Sequence, residues 1–193
     1  MDSPRPMPYI RPVPGPGSKD LALAAWTTFR LGGRCRYGLC CGTPATLVEA
    51  VDRAQGEGLP WVVLGGGSNV LISDRGLDAA VIRFADDGSG LRAEGRRVTA
   101  SGGVPLDSVA GWTARHGLSD LTFLSGIPGS VGAAVAGNAG AFGQAIGDRI
   151  RRVLVREPGG RCVWRPGSAM GFEYRRSGLG PGAVVLEAEW QLE

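Results

Sequence analysis

Three stretches hold the residues whose types and spacing could do chemistry. The first is Leu64-Gly65-Gly66-Gly67-Ser68-Asn69, directly after the apolar run Trp61-Val62-Val63-Leu64. Three successive glycines free the backbone to adopt positive φ and leave no side chains in the way, so several amides can converge on a phosphate. A plain tight turn needs the same residues, and spacing alone weighs the two readings equally. No Gly-Lys-Ser/Thr follows, which excludes a Walker A loop, and Val70 stands where a Rossmann fingerprint needs its third glycine. The second stretch runs Ser125-Gly126-Ile127-Pro128-Gly129-Ser130-Val131-Gly132 and continues to Asn138-Ala139-Gly140-Ala141. Each glycine inside a helix start costs about 1 kcal/mol relative to alanine, so their repetition requires compensation. Close approach of a flat ligand would supply it. Tight helix-on-sheet packing would too, though it accounts poorly for Ser125, Ser130 and Asn138. The third stretch is Tyr174-Arg175-Arg176-Ser177, where an arginine fork could bind a carboxylate or an enolate oxygen beside an orienting tyrosine. Taken alone, adjacent arginines more often form a solvated patch.

Other chemistries have little to work with. The one histidine, His116, falls near a helix C-terminus, where a dipole contact explains it better than catalysis. Cys35, Cys40, Cys41 and Cys162 form no CxxC pair, so a metal site lacks support and buried free thiols are expected. Net charge is +3 with basic residues scattered, which leaves no footprint for nucleic acid. Apolar runs stay short of the roughly 18 residues a membrane span requires. The N-terminus offers no apolar core for a secretory signal, so a reducing cytoplasm is the expected setting. Asparagine occurs only at Asn69 and Asn138, both within the glycine-rich stretches, and neither is expected to be filler.

The elements that must position these residues read as an α+β domain. Residues 1 to about 25, rich in Pro and Gly, are expected to form an extended tail, with order starting near Trp26. Arg34 to Cys41 suggests a strand. Thr43 caps a helix with Pro44 at its first position and Leu47, Val48, Val51 and Ala54 on one face. Trp61 to Leu64 and Ala79 to Phe84 read as strands buried on both faces. Val98 to Ala100 suggests a strand, and Pro105 opens a helix that Gly117 closes. Arg151 to Arg156, Arg161 to Trp164 and Ala183 to Leu192 read as antiparallel strands. In the last, Leu186, Ala188, Trp190 and Leu192 form a buried face against the wet Glu187, Glu189, Gln191 and Glu193. The chain stops at the end of that element, as at a domain boundary.

The order of the motifs is more specific than any one of them. Thr27-Thr28-Phe29-Arg30-Leu31-Gly32-Gly33, the Gly65 loop with Val70-Leu71, the Ser125 and Asn138 stretches, and Tyr174-Arg175-Arg176-Ser177 together resemble the UDP-N-acetylenolpyruvoylglucosamine reductase family. The resemblance runs over about residues 26 to 193. It implies an FAD-binding domain of the vanillyl-alcohol-oxidase (PCMH) type, with lobes over about 26–85 and 86–193 and FAD held non-covalently between them. Leu64 to Asn69 would hold the diphosphate, while Ser125 to Gly132 and Asn138 to Ala141 would line the flavin and ribityl chain. Arg175 and Tyr174 are the implied catalytic residues, with Arg175 stabilising an enol-like intermediate. The implied reaction is NADPH-dependent reduction of the enolpyruvyl group of UDP-N-acetylglucosamine enolpyruvate, in peptidoglycan precursor synthesis. Gly137, Phe142 and Leu179-Gly180 depart from residues common in the family. The family's further substrate-binding domain, with its serine proton donor, is not expected within these 193 residues. A stand-alone FAD oxidoreductase for another small substrate and a non-catalytic flavin-binding remnant are the competing readings.

Overall fold

The structure, a computed structural model, describes residues 17–118 and 120–193. Two sheets divide the chain. The first has β1 (Ser18–Ala22), β2 (Arg34–Cys41), β3 (Trp61–Leu64) and β4 (Leu77–Phe84) in the order β1-β2-β4-β3, with helix α1 (Pro44–Gly56) between β2 and β3. The strands β2, β4 and β3 run parallel, and β1 joins antiparallel to β2. The Thr43 cap forms as expected, as a box with Thr46, and Pro44 follows it. Leu47, Ala50, Val51 and Ala54 are the buried stripe of α1.

The second sheet contains β5 (Leu91–Glu94), β6 (Arg97–Ser101), β9 (Ile150–Arg156), β10 (Cys162–Pro166) and β11 (Val184–Gln191), all antiparallel, in the order β10-β9-β11-β6-β5. Between β6 and β9 the chain makes α2 (Leu106–Arg115), α3 (Val131–Ala136) and the small hairpin of β7 (Gly140–Ala141) and β8 (Gln144–Ala145). Both helices cover one face of this sheet, burying Val98, Ala100, Val153, Val155, Ala188 and Trp190 among Leu106, Val109, Val131 and Val135. On the opposite face Val184 and Leu186 meet Leu47, Val51, Ile82 and Phe84, so a shared apolar layer ties α1 and the first sheet to the second. Among the described residues no helix is long and apolar enough to cross a membrane.

Four expectations need correction. The tail ends earlier than Trp26: residues 18–22 form β1 and Leu23 is fully buried, because Leu21 and Leu23 pack over the outer face of the first sheet. Residues 1–16 lie outside the described residues. The run Trp61 to Leu64 is not buried on both faces, since β3 is an edge strand and Val62 stays 41% exposed. The doubly buried strand is β4, which sends Ile82 and Phe84 toward α1 and Val81 toward Trp26. Leu186 faces the first sheet, not the core of Ala188, Trp190 and Leu192, and Glu189 is not wet but 3% exposed, because the ladder shifts register between Val185 and Glu187 and again between Glu189 and Trp190. Burial would raise its carboxyl pKa, but hydrogen bonds from Arg152 and Arg151 outweigh that and hold it below the usual carboxylate range. Finally, Cys35 and Cys41 are buried free thiols, whereas Cys40 and Cys162 are exposed. The short β5 and the hairpin β7–β8 carry no alternation long enough to be read in advance.

Candidate functional site

The glycine loop leaves β3 at Leu64 and is pinned from one side by the segment after Trp26. The amide of Thr28 donates to the Gly67 carbonyl at 3.0 Å. Gly67 has φ +68°, and a Cβ there would drive into the carbonyl oxygen of Trp26. A Cβ on Gly65 would meet Ser130 Oγ, and one on Gly66 would stand 3.3 Å from Gly129 Cα. The two glycine-rich stretches therefore touch, backbone against backbone, across the boundary between the sheets. Among the described residues the amides of Gly66, Gly67, Ser68 and Asn69 donate to no acceptor. Gly67 is buried, while Gly66 and Ser68 are half-buried and Asn69 is exposed, so the amides line an accessible edge of the loop. These amides are left free to donate to water or to a bound group.

Other residues of the second stretch serve the scaffold. Ser125 Oγ and the Gly126 amide both donate to Asp107 Oδ1, at 3.1 and 2.8 Å, so an acid in the first turn of α2 fixes this loop. Sequence reasoning missed Asp107; its first-turn position was the available signal. Ile127 packs against the main core, and its amide caps back to Leu124. Pro128 and Gly129, with φ +124° at the glycine, turn the chain into the buried Ser130. Val131 is fully buried, and Gly132 lies against the Gly102 backbone with its amide donating to Gly102 O at 2.8 Å. Tight packing, the blander of the two readings, is thus what Val131 and Gly132 do.

At the other end of α3 the chain meets the third stretch. Glu173 and Arg176 exchange backbone hydrogen bonds of 3.0 and 3.2 Å, making Tyr174 and Arg175 the two central residues of a tight turn. Arg175 sits at φ +58°, where a non-glycine residue is strained. An ion pair from Arg176 to Glu173 at 2.7 Å closes the base of the turn. This leaves Arg175 exposed, with its guanidinium 5.7 Å from the Tyr174 ring, and Tyr174 is 89% exposed.

Asn138 is the clamp between these parts. Its side chain is buried, donates from Nδ2 to the Glu173 carbonyl at 2.8 Å and accepts from the Gly147 amide at 3.0 Å. Ser177 adds two bonds to the Ala136 carbonyl, from its hydroxyl at 2.8 Å and its amide at 3.1 Å. Asn138, read from sequence as facing a cofactor, therefore spends its side chain on the protein. Ala139 accepts from the Ile146 amide, and Gly140 and Ala141 form β7, whose turn residues Phe142 and Gly143 both have positive φ. Truncating Asn138 to alanine strands the Glu173 carbonyl and the Gly147 amide. We expect it to lower unfolding stability by about 1–3 kcal/mol, read from the urea midpoint, and to speed exchange of the Gly147 amide. His116 plays no part here: its Nδ1 lies 2.8 Å from the Trp112 carbonyl and its ring stacks on Trp112.

An α+β fold of two sheets joined at paired glycine loops, with unpaired amides at the junction, defines a nucleotide-cofactor domain. Residues 36–165 match the FAD binding domain family, and the chain belongs to it. Its architecture is of the vanillyl-alcohol-oxidase (PCMH) type. The chain is 38% identical over 177 residues to UDP-N-acetylenolpyruvoylglucosamine reductase 1 of Bacillus thuringiensis subsp. konkukian, which covers 90% of this chain and 58% of that protein. It is 41% identical over 173 residues to the UDP-N-acetylenolpyruvoylglucosamine reductase of Nocardia farcinica, covering 88% of this chain and 44% of that one. The crystal structure of UDP-N-acetylenolpyruvylglucosamine reductase from Thermus caldophilus superposes with a TM-score of 0.77 at 31% identity, over 91% of this chain and 62% of that chain. In fold alone, 6-hydroxy-D-nicotine oxidase from Arthrobacter nicotinovorans is also similar, with a TM-score of 0.60 at 20% identity, over 86% of this chain and 38% of that one. The chain thus spans about half the length of the curated relatives it matches.

Proposed function

We propose that this chain is the FAD-holding part of a UDP-N-acetylenolpyruvoylglucosamine reductase. In this reading the enzyme takes electrons from NADPH and reduces the enolpyruvyl group of UDP-N-acetylglucosamine enolpyruvate. The observation that carries the reading is the role of α3 as a strut: the amide cradle adjoins its start at Ser130, and the Arg175 turn is tethered to its end at Ala136 and Asn138. Six helical residues separate the two by about 9 Å along the axis.

The residues fit the cofactor. The amides of Gly66 to Asn69 would hold the diphosphate, and Leu64 and Gly65 carry the chain to them from β3. The backbone of Ser125 to Gly132 and of Asn138 to Ala141 would border the flavin and its ribityl chain. When bound, FAD supplies the two-electron chemistry that no side chain of this site can perform. The protein supplies position and charge. Gly66 and Gly129 close the loops on each other so that no side chain intrudes, and Asp107 keeps Ser125 and Gly126 in register with them. Arg175, whose guanidinium is always charged, meets the negative charge that develops on the carboxylate-conjugated carbon of the substrate. Because its turn is fixed by Asn138 and Ser177, the cation is in place before the reaction starts. Tyr174 lies beside it, its ring 5.7 Å from the guanidinium carbon.

The first test is colour. The purified protein is expected to be yellow and to release free FAD into the supernatant on acid precipitation, since neither loop offers a histidine or cysteine for a covalent flavin bond. A colourless protein that takes up no flavin on titration ends this reading. The second is anaerobic stopped-flow absorbance, which follows flavin reduction by NADPH and reoxidation by the enolpyruvyl substrate as separate steps.

A further inference from the structure

Among the described residues, one buried cation lacks an anion. Arg83 is 4% exposed, its Nε has no hydrogen-bond partner among the described residues, and no carboxylate contributes to its surroundings. Its neighbours are the Trp26 ring, 5.8 Å from the guanidinium carbon, and Cys40. Although one edge of Cys40 is exposed, desolvation of its thiol against the sheet pushes its pKa up despite the arginine beside it, so it offers no counter-charge. Burying a cation without an anion or an acceptor for its N–H groups is costly.

The position of Arg83 says which partner. In the parallel register Arg83 is flanked by Cys40 on β2 and by Leu64 on β3. Leu64 is the residue from which the Gly65–Asn69 loop springs. On the same face, Trp26 covers the arginine, and its carbonyl is the atom against which Gly67 is pressed. The unpaired guanidinium and the run of unpaired amides are therefore at the root of one loop. Each supplies what a phosphate needs: amides give directional hydrogen bonds, and the buried arginine gives an unscreened positive charge.

We propose that Arg83 is the buried counter-charge of the cofactor's diphosphate. This rests on the flavin reading above. It makes the apoprotein carry an uncompensated charge that FAD binding relieves, so affinity and apoprotein stability should move in opposite directions when the arginine is removed.

The test compares wild type with R83M and R83K, titrated with FAD and with riboflavin, which has the flavin ring but no phosphate, by flavin fluorescence. R83M is expected to raise the Kd for FAD about 10- to 100-fold, the size of losing a hydrogen bond to a charged group, while leaving riboflavin binding unchanged. R83K, which keeps the charge but loses the planar fork, is expected to fall between. The urea midpoint of the R83M apoprotein should equal or exceed that of wild type. Equal FAD binding by R83M and wild type overturns the assignment, as does equal loss of FAD and riboflavin. An R83M chain that unfolds or has a lowered midpoint overturns it too, because Arg83 would then hold up the fold. A wild-type chain that takes up no FAD brings down the flavin reading itself, an outcome distinct from the others.

Discussion

A Gly66→Asp chain is expected to fold and to purify without flavin. Of the three loop glycines, Gly66 is the one at which an added Cβ meets no atom closer than 3.3 Å. Its φ is not in the left-handed region, and the nearest atom to an added Cβ is Gly129 Cα at 3.3 Å, close enough to need a shift of a few tenths of an ångström. The shift would have to come from the Gly129–Ser130 backbone of the facing loop. An aspartate there fills the cradle and sets a carboxylate against a diphosphate, so FAD affinity should fall by about 10²-fold or more. Gly67→Ala is the contrasting variant. Its Cβ meets the Trp26 carbonyl and its φ of +68° is strained for alanine, so the damage should appear mainly as about 1–3 kcal/mol of lost stability. Urea midpoints and FAD titrations of the two proteins, compared side by side, separate a ligand cradle from a plain turn. Equal midpoint losses with parallel losses of flavin would favour the turn.

The other large effect belongs to Arg175. In flavin-loaded enzyme that carries this chain together with a substrate-binding domain, Arg175→Ala should leave reduction by NADPH unchanged and slow reoxidation by the enolpyruvyl substrate by about 10²- to 10³-fold, as loss of one preorganised charge-stabilising group does. The flavin absorbance reports the electron-transfer step, which precedes addition of any proton to the product. Stability should change by no more than about 0.5 kcal/mol, because the guanidinium is exposed and its described neighbour is the Tyr174 ring. Arg175→Lys should recover only part of the rate, since an ammonium cannot engage a carboxylate with two parallel hydrogen bonds. Unchanged reoxidation in Arg175→Ala would return the pair Arg175-Arg176 to the reading that local sequence favours, a solvated patch.

Short-range signals were legible in the sequence. The Thr43-Pro44 start of α1, the Pro105 and Gly117 limits around α2, and the strands β2, β4, β6, β9, β10 and β11 follow from caps, turn residues and apolar periodicity, all of which act within a few residues. The three chemistry-bearing stretches were legible too, as glycine runs and an arginine pair, and their order pointed to a flavin fold. What the sequence could not settle was how each residue in those stretches spends its polar atoms. Asn138 clamps a turn 35 residues away, Ser125 is held by Asp107 across 18, and Glu189 is taken out of water by arginines 37 and 38 positions earlier. Only packing decides which of two equally polar faces is buried and which acceptor lies within reach. The same holds for β3, whose apolar run fits a central strand or an edge strand alike until sheet order places it outermost. Arg83 shows the limit most plainly. In sequence it is one of 20 arginines, and it becomes distinctive only when β4 is laid between β2 and β3, with Trp26 closing over it. A charge acquires chemical meaning from the dielectric and partners around it, and those are properties of the tertiary structure.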